Sequence, residues 1–265
     1  MQNKEKNKPG SHRLETVLPD GQVVNRKWLQ VKGYERSTID YYIRSGKLEN
    51  VGHGVYRRPG PPLKWEHIVY SLQELGYMLH IGGQSALDLQ GYAHYLAIGR
   101  KGKVVTLFGK DKLPAWVNKI SDIIQFAAFG QKAFAKLPEN SLTTHTFGHW
   151  DWELKVSTVE LALFELLSRV KDESDFSVAD KYFESATILR PELVNALLHA
   201  CTHIQTKRLF LWFADKHAHQ WTQSIDRNNI NLGSGKRVII KGGTLDKTHN
   251  ITVPREMNNN EPLFF

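Results

Sequence analysis

Twelve histidines stand among the 265 residues, and His199 and His203 come nearest to a ligand pattern. Four apart on a predicted helix, two imidazoles share one face and can hold zinc. A zinc hydrolase also needs a carboxylate beside the first histidine, but Ala200, Cys201 and Thr202 fill the gap. His217 and His219, and the stretch from His145 to His149, offer no third ligand that can be named. Packed or solvated histidines are the expectation at all of them. Asp151, Glu153 and Glu160 are the nearest approach to the carboxylate cluster of a metal-dependent nucleic-acid enzyme, and they straddle a predicted strand and helix start. Ser85 lies outside a G-x-S-x-G frame, so no nucleophile elbow is supported. Gly233, Ser234, Gly235 and Lys236 resemble part of a phosphate loop, but that frame needs glycine at 230 and Ser or Thr at 237, where Ile230 and Arg237 stand. The sequence thus gives no catalytic residue, no metal and no cofactor, and the chain is expected not to be an enzyme.

One stretch does carry a chemistry: cations and hydrogen-bonding side chains set on a short helix, suited to reading duplex DNA. Between Arg26 and Pro59 the pattern predicts a helix from Arg26 to Lys32 ended by Gly33, and a second from about Ser37 to Ser45 stopped by Gly46. A hairpin then turns at Gly52, His53 and Gly54, completing the plan of a winged helix-turn-helix. At 100° per residue, Ile39 and Ile43 share one face with Tyr42 at its border, while Ser37, Tyr41 and Arg44 lie opposite, beside Asp40. So short a helix is not stable alone in water, so its apolar side is expected to dock on Trp28, Leu29 and Val31. The polar, aromatic and cationic side is left for a major groove, with Arg36 at the helix start, where backbone N–H groups can hold a phosphate.

Charge supports that partner. Residues 1–60 hold twelve Lys and Arg against six Asp and Glu, or +6 of the formal +8, and the remaining 205 residues are nearly balanced. A basic module on a neutral body is the footprint of a phosphate-backbone ligand.

The elements behind this module follow from pattern. Residues 1–12 are polar and basic and read as a mobile arm; Leu14, Val17 and Leu18 suit a short opening helix. Pro59, Gly60, Pro61 and Pro62 form the strongest break, so the expected domains are 1–62, the winged-helix module with its arm, and 63–265. A helix is predicted over Trp65 to Leu75, and a shorter one follows Gly82 and Gly83 through Ala86, Leu87 and Leu89. Strands are predicted at Val104 to Phe108, Ile123 to Phe126 and Trp152 to Val156. Ser157 and Glu160 have the spacing of a capping box opening a deeply buried helix. Pro191 marks the first turn of another helix, and Lys207 to Lys216 continues the helical half. Lys236 to Lys241 and Ile251 to Pro254 are expected to pair as a hairpin. The fold class is α+β: an N-terminal winged helix-turn-helix, then a larger mixed domain with a helical C-terminal half. A single cysteine, Cys201, permits no disulfide within the chain and suits a reducing, cytoplasmic setting. No apolar run approaches 18 residues, so no membrane partner is expected.

The run SGKLENVGHGVYRRPG, followed by GGQSALDLQGYAHYL, LPAWV, STVELALFELL, LRPELV, KRLFLWFADKHAH and LGSGKRVIIKGGTLDKTHNITVP, resembles the AbiEi family of antitoxins in order and over nearly the whole chain. The resemblance implies a transcriptional regulator of a type IV toxin–antitoxin (abortive infection) system. Its winged helix would bind inverted repeats in its own promoter, with two copies on DNA a natural match to such a site, and repress the operon. Its C-terminal domain would counteract a nucleotidyltransferase-like toxin without forming a stable complex. Carried onto this sequence, the DNA-reading positions are Arg36, Ser37, Thr38, Tyr41 and Arg44, and the wing and phosphate positions are Lys47, His53, Arg57 and Arg58. Arg26 and Lys27, at the start of the first helix, complete the DNA-binding set. The runner-up is a plain winged-helix regulator whose C-terminal domain dimerises or senses a ligand, and behind it stands a metal-dependent nucleic-acid enzyme built on Asp151, Glu153 and Glu160.

Overall fold

A computed structural model describes residues 13–92, 103–120, 124–148 and 150–257. The expected arm at 1–12, the segment from Ala93 to Leu96, Ile123 and His149 lie outside these residues. The first 57 residues hold α1 (Leu14–Val17), β1 (Val24–Asn25), α2 (Arg26–Val31), α3 (Arg36–Arg44), β2 (Glu49–Gly52) and β3 (Val55–Arg57). Strands β1, β3 and β2 pair antiparallel in that order, so the hairpin closes against the strand that leads into α2. These elements enclose a core of their own from Leu14, Leu18, Val24, Leu29, Tyr34, Ile39, Leu48 and Tyr56. We call this unit the head.

The chain continues through α4 (Trp65–Glu74), β4 (Leu79–Ile81), α5 (Gly83–Leu89), β5 (Lys103–Gly109), α6 (Val117–Ile120), β6 (Ile124–Gly130), β7 (Leu142–Phe147) and β8 (Trp152–Ser157). A helical half follows: α7 (Val159–Leu167), α8 (Glu173–Ser185), α9 (Pro191–Ala200) and α10 (Ile204–His217). A small hairpin of β9 (Thr244–Asp246) and β10 (Ile251–Val253) comes last. The body sheet is mixed, in the order β6-β5-β4-β8-β7, with β5 parallel to β6 and β7 antiparallel to β8. Strand β8 alternates as the period of two requires: Trp152, Leu154 and Val156 are buried while Glu153 and Lys155 are exposed. Helix α7 is apolar around most of its circumference and sits at the centre of the body, where Phe164 stacks on Phe210 of α10 at 4.4 Å. Its one deeply buried charge at mid-helix, Glu165, is satisfied three times. His80 Nε2 lies 2.7 Å from Oε1, while the Gly83 N–H and the Ser157 hydroxyl donate to Oε2 at 2.9 and 2.7 Å.

The α+β class and the order of elements agree with the sequence, but several local expectations fail. His199 and His203 do not share a helix, because α9 ends at Ala200 and α10 starts at Ile204. Val31 is 77% exposed and takes no part in docking α3, because helix α2 ends there and turns it outward. Helix α7 is capped at Thr158 without a side-chain bond; Ser157 instead donates to Glu165 and Glu160 holds Arg190, so the capping box does not form. Lys236 to Lys241 is not a strand: Thr244–Asp246 is the partner of Ile251–Val253, and only Arg237 bridges to Ile251. Strands β4 and β7 were not anticipated, β4 being three residues long and β7 an edge with little alternation. Among the described residues, no helix is long and apolar enough to cross a membrane.

Candidate nucleic-acid interface

The head positions its outward helix by three local devices. Asn25 caps α2, its Oδ1 accepting from the Trp28 N–H at 2.8 Å. Gly33 takes φ +92°, which lets the chain reverse so that the Tyr34 N–H reaches the Leu29 carbonyl at 3.1 Å. Helix α3 then buries Ile39 against Leu29, and Tyr34 meets Tyr42 edge to face at 6.0 Å. With that side fixed, Arg36, Ser37, Tyr41 and Arg44 are all exposed, and Tyr41 stays 54% accessible despite contact with Tyr42. Thr38 is half-buried at the border.

The cations of the head fall into two groups. Arg26 pairs with Asp40 at 2.7 Å and donates to the Tyr56 hydroxyl at 3.3 Å; these two bonds, Asp40 first, raise its pKa further. Arg57 binds the Glu49 carboxylate across the hairpin and donates to the Pro61 and Gly60 carbonyls at 2.8 and 3.2 Å. Arg58 pairs with Asp20 at 2.9 Å and donates to the Leu18 carbonyl. These three hold the head together. Lys27, Arg36 and Arg44 are exposed and meet no carboxylate among the described residues. Lys47 is exposed with its ammonium 5.4 Å from the Tyr42 ring centre, and His53 stands exposed at the hairpin tip. Sequence reasoning passed over Lys32, which lies in the turn between the helices with its ammonium 5.2 Å from the Trp28 ring. Its place beside Gly33 was the available signal.

The wing does not stand free of the body. A Cβ on Gly52 would lie 2.7 Å from the Trp116 Cβ, so the bare glycine is what lets hairpin and body touch. Val23 and Val55 pack into the body core, and the Val23 N–H donates to Ser71 Oγ of α4 at 2.8 Å.

The other residues with chemical potential are occupied. Glu160 accepts from the Arg190 backbone and guanidinium at 2.9 to 3.0 Å. Burial alone would push its carboxyl up, but those donors outweigh burial and hold it below the usual value. His203 lies 2.7 Å from Thr206, and burial pushes its pKa down. His217 binds Asp180 and His219 binds the Phe183 carbonyl. Among the described residues no three His, Cys, Asp or Glu side chains are grouped to hold a metal. The loop at Gly233 and Gly235 has the wrong polarity for phosphate: it turns carbonyls inward, and those of Leu232, Gly233, Gly235 and Asn250 accept from the buried Arg208.

The family model described as "Transcriptional regulator, AbiEi antitoxin, Type IV TA system" matches residues 102–254. The model described as "Transcriptional regulator, AbiEi antitoxin N-terminal domain" matches residues 7–98. A crystal structure of the RV2827C protein from Mycobacterium tuberculosis has a similar fold, with a TM-score of 0.51 and 12% identity over 87% of this chain and 85% of that one. No curated protein matches the sequence.

Proposed function

The chain belongs to the AbiEi family of type IV toxin–antitoxin transcriptional regulators, and from that premise we propose that it represses its own operon by binding inverted repeats in the promoter. In this proposal residues 1–62 read DNA and residues 63–265 carry the antitoxin activity against a nucleotidyltransferase-like toxin. The observation that carries it is the outer face of α3, where Arg36, Tyr41 and Arg44 are exposed while Ile39 anchors the opposite side. An arginine there can donate a bidentate pair to guanine, and Ser37 can take either role toward a base edge. Lys27, Lys47 and His53 flank that face as phosphate contacts, with Arg26, Arg57 and Arg58 fixing the frame that presents them. Two copies on one palindromic site follow from its symmetry. No metal or cofactor enters this function, and no catalytic step is assigned.

The test is fluorescence anisotropy on the promoter fragment with the joint variant Arg36→Ala, Tyr41→Ala, Arg44→Ala. Its affinity should fall to that for unrelated DNA while its circular dichroism spectrum is unchanged. Wild-type affinity in that variant would remove α3 from the reading role. A regulator whose body senses a ligand is the second reading, favoured by a cavity in the body sheet. The antitoxin assignment separates from it by rescue of growth when a nucleotidyltransferase-like toxin of this family is co-expressed with the chain.

A further inference from the structure

Two hollows in the body meet at Arg169. The larger, 410 Å³, opens where β6 ends, with Phe108, Phe129 and Phe134 among its walls and Glu165 beside them. The smaller, 160 Å³, shares Phe108, Phe129 and Arg169 with it. The Arg169 guanidinium lies 4.1 Å from the Phe129 ring centre. An aromatic face holds a cation in place without neutralising it. Among the described residues no carboxylate forms an ion pair with Arg169, although Asp175 lines the smaller hollow. Lys132 lines the larger one as a second exposed cation. Glu165 offers the cavity little, since its oxygens are already taken by His80, Gly83 and Ser157. Gln131 is the unmet group: its Nε2 is buried without a hydrogen-bond partner among the described residues, and it lines the cavity. A buried donor left unmade is destabilising, and an acceptor on a ligand would satisfy it.

We propose that this cavity binds a nucleotide, the base against the phenylalanines, the phosphate on Arg169 and Lys132, and the Gln131 amide donating to an acceptor on the base. Each feature alone is permissive, and together they select. Two cations would take any anion, but the volume lies within the roughly 300–1,000 Å³ of small-ligand sites and far exceeds a bare phosphate. Aromatic walls would take any flat ring, but the unmet donor asks for a ring that accepts a hydrogen bond. The ligand is either a free mononucleotide or the terminal nucleotide of a single-stranded RNA. The inference does not depend on the α3 interface, since no residue is shared.

Calorimetry of the full chain against AMP, GMP, CMP and UMP tests it, with adenosine and inorganic phosphate as the separated halves. At least one mononucleotide should bind saturably at one per chain, and each half at least tenfold more weakly. Arg169→Ala and Lys132→Ala, both at exposed positions, should each weaken binding about tenfold while leaving promoter affinity unchanged. No saturable binding by folded wild type at millimolar nucleotide overturns the proposal, as does binding indifferent to both substitutions. A short single-stranded RNA that displaces the bound mononucleotide assigns the site to a strand end, and one that fails to displace it assigns the site to the free nucleotide; both uphold the cavity as a nucleotide site.

Discussion

An arginine in the head is either a fastener or a free cation, and what decides is the carboxylate within reach. Arg26, Arg57 and Arg58 each find one, at Asp40, Glu49 and Asp20; among the described residues Arg36 and Arg44 do not. The Arg26–Asp40 pair is about two-fifths exposed on both sides, so it orients more than it stabilises, at well under about 1 kcal/mol. If Arg44 donates to a base edge, Arg44→Ala should cost about 1–3 kcal/mol at the cognate site and relax the base preference there. Lys47→Ala should weaken all DNA alike and flatten the slope of log affinity against log salt by about 1. Anisotropy titrations across a salt series separate the two effects. In the body, Glu160 makes a pH prediction. Its carboxyl is held below the ordinary value of 4.5 by Arg190, against the opposing pull of burial. A depressed folded pKa adds stability above the unfolded value and gives it up as pH falls through the folded one. Urea midpoints should therefore drop from about pH 4.5 downward. Glu160→Gln should lower the midpoint near neutral pH and show a shallower acid limb over the same window.

At the scale of elements, the amphipathic helices were legible and the thin strands were not. Helix α3 declares itself through Ile39 and Ile43 opposite Tyr41 and Arg44, and α9 through Pro191 and its leucines. Strand β4 is only Leu79, His80 and Ile81, too short to show a period, and β7 is an edge whose residues are mostly exposed. Both exist because neighbouring strands supply their hydrogen bonds. Glycines divide in the same manner between local and tertiary causes. Gly46 has φ +72° and open space around it, so Gly46→Ala should cost about 1–2 kcal/mol through backbone strain and Gly46→Asn less. Gly82 has φ −142° and no strain to relieve, but a Cβ there would overlap Glu165 Oε2 and come within 2.7 Å of Phe108. Gly82→Ala should cost about 1–3 kcal/mol, with Gly82→Asn worse rather than better. Urea denaturation of the four variants gives opposite rankings of Ala and Asn at the two sites.

The whole molecule joins a charged head to a nearly neutral body through an apolar seam. Trp116 fills the space under the wing that Gly52 leaves open, and Val23 and Val55 pack into the body core. Trp116→Ala should therefore destabilise the chain by about 3–5 kcal/mol and weaken promoter binding with the salt slope retained, because no phosphate contact is removed. A lost slope would mean that Trp116 governs the cations themselves. What the sequence determined by itself was whatever depends on neighbours along the chain: the helix pair and its outward face, the concentration of positive charge before Pro59, the α+β alternation, the family resemblance. Only the tertiary structure decided which cations are spent. Asp40 lies fourteen residues beyond Arg26 and Asp20 thirty-eight before Arg58, whereas Glu49 faces Arg57 across the hairpin and is the one pairing the pattern could record. The same holds for Ser157 and Glu160, which have the spacing of a cap and are drawn to Glu165 and Arg190 instead. Pairing of charges depends on distance through space, and a linear pattern records that distance only within a helical turn or a hairpin.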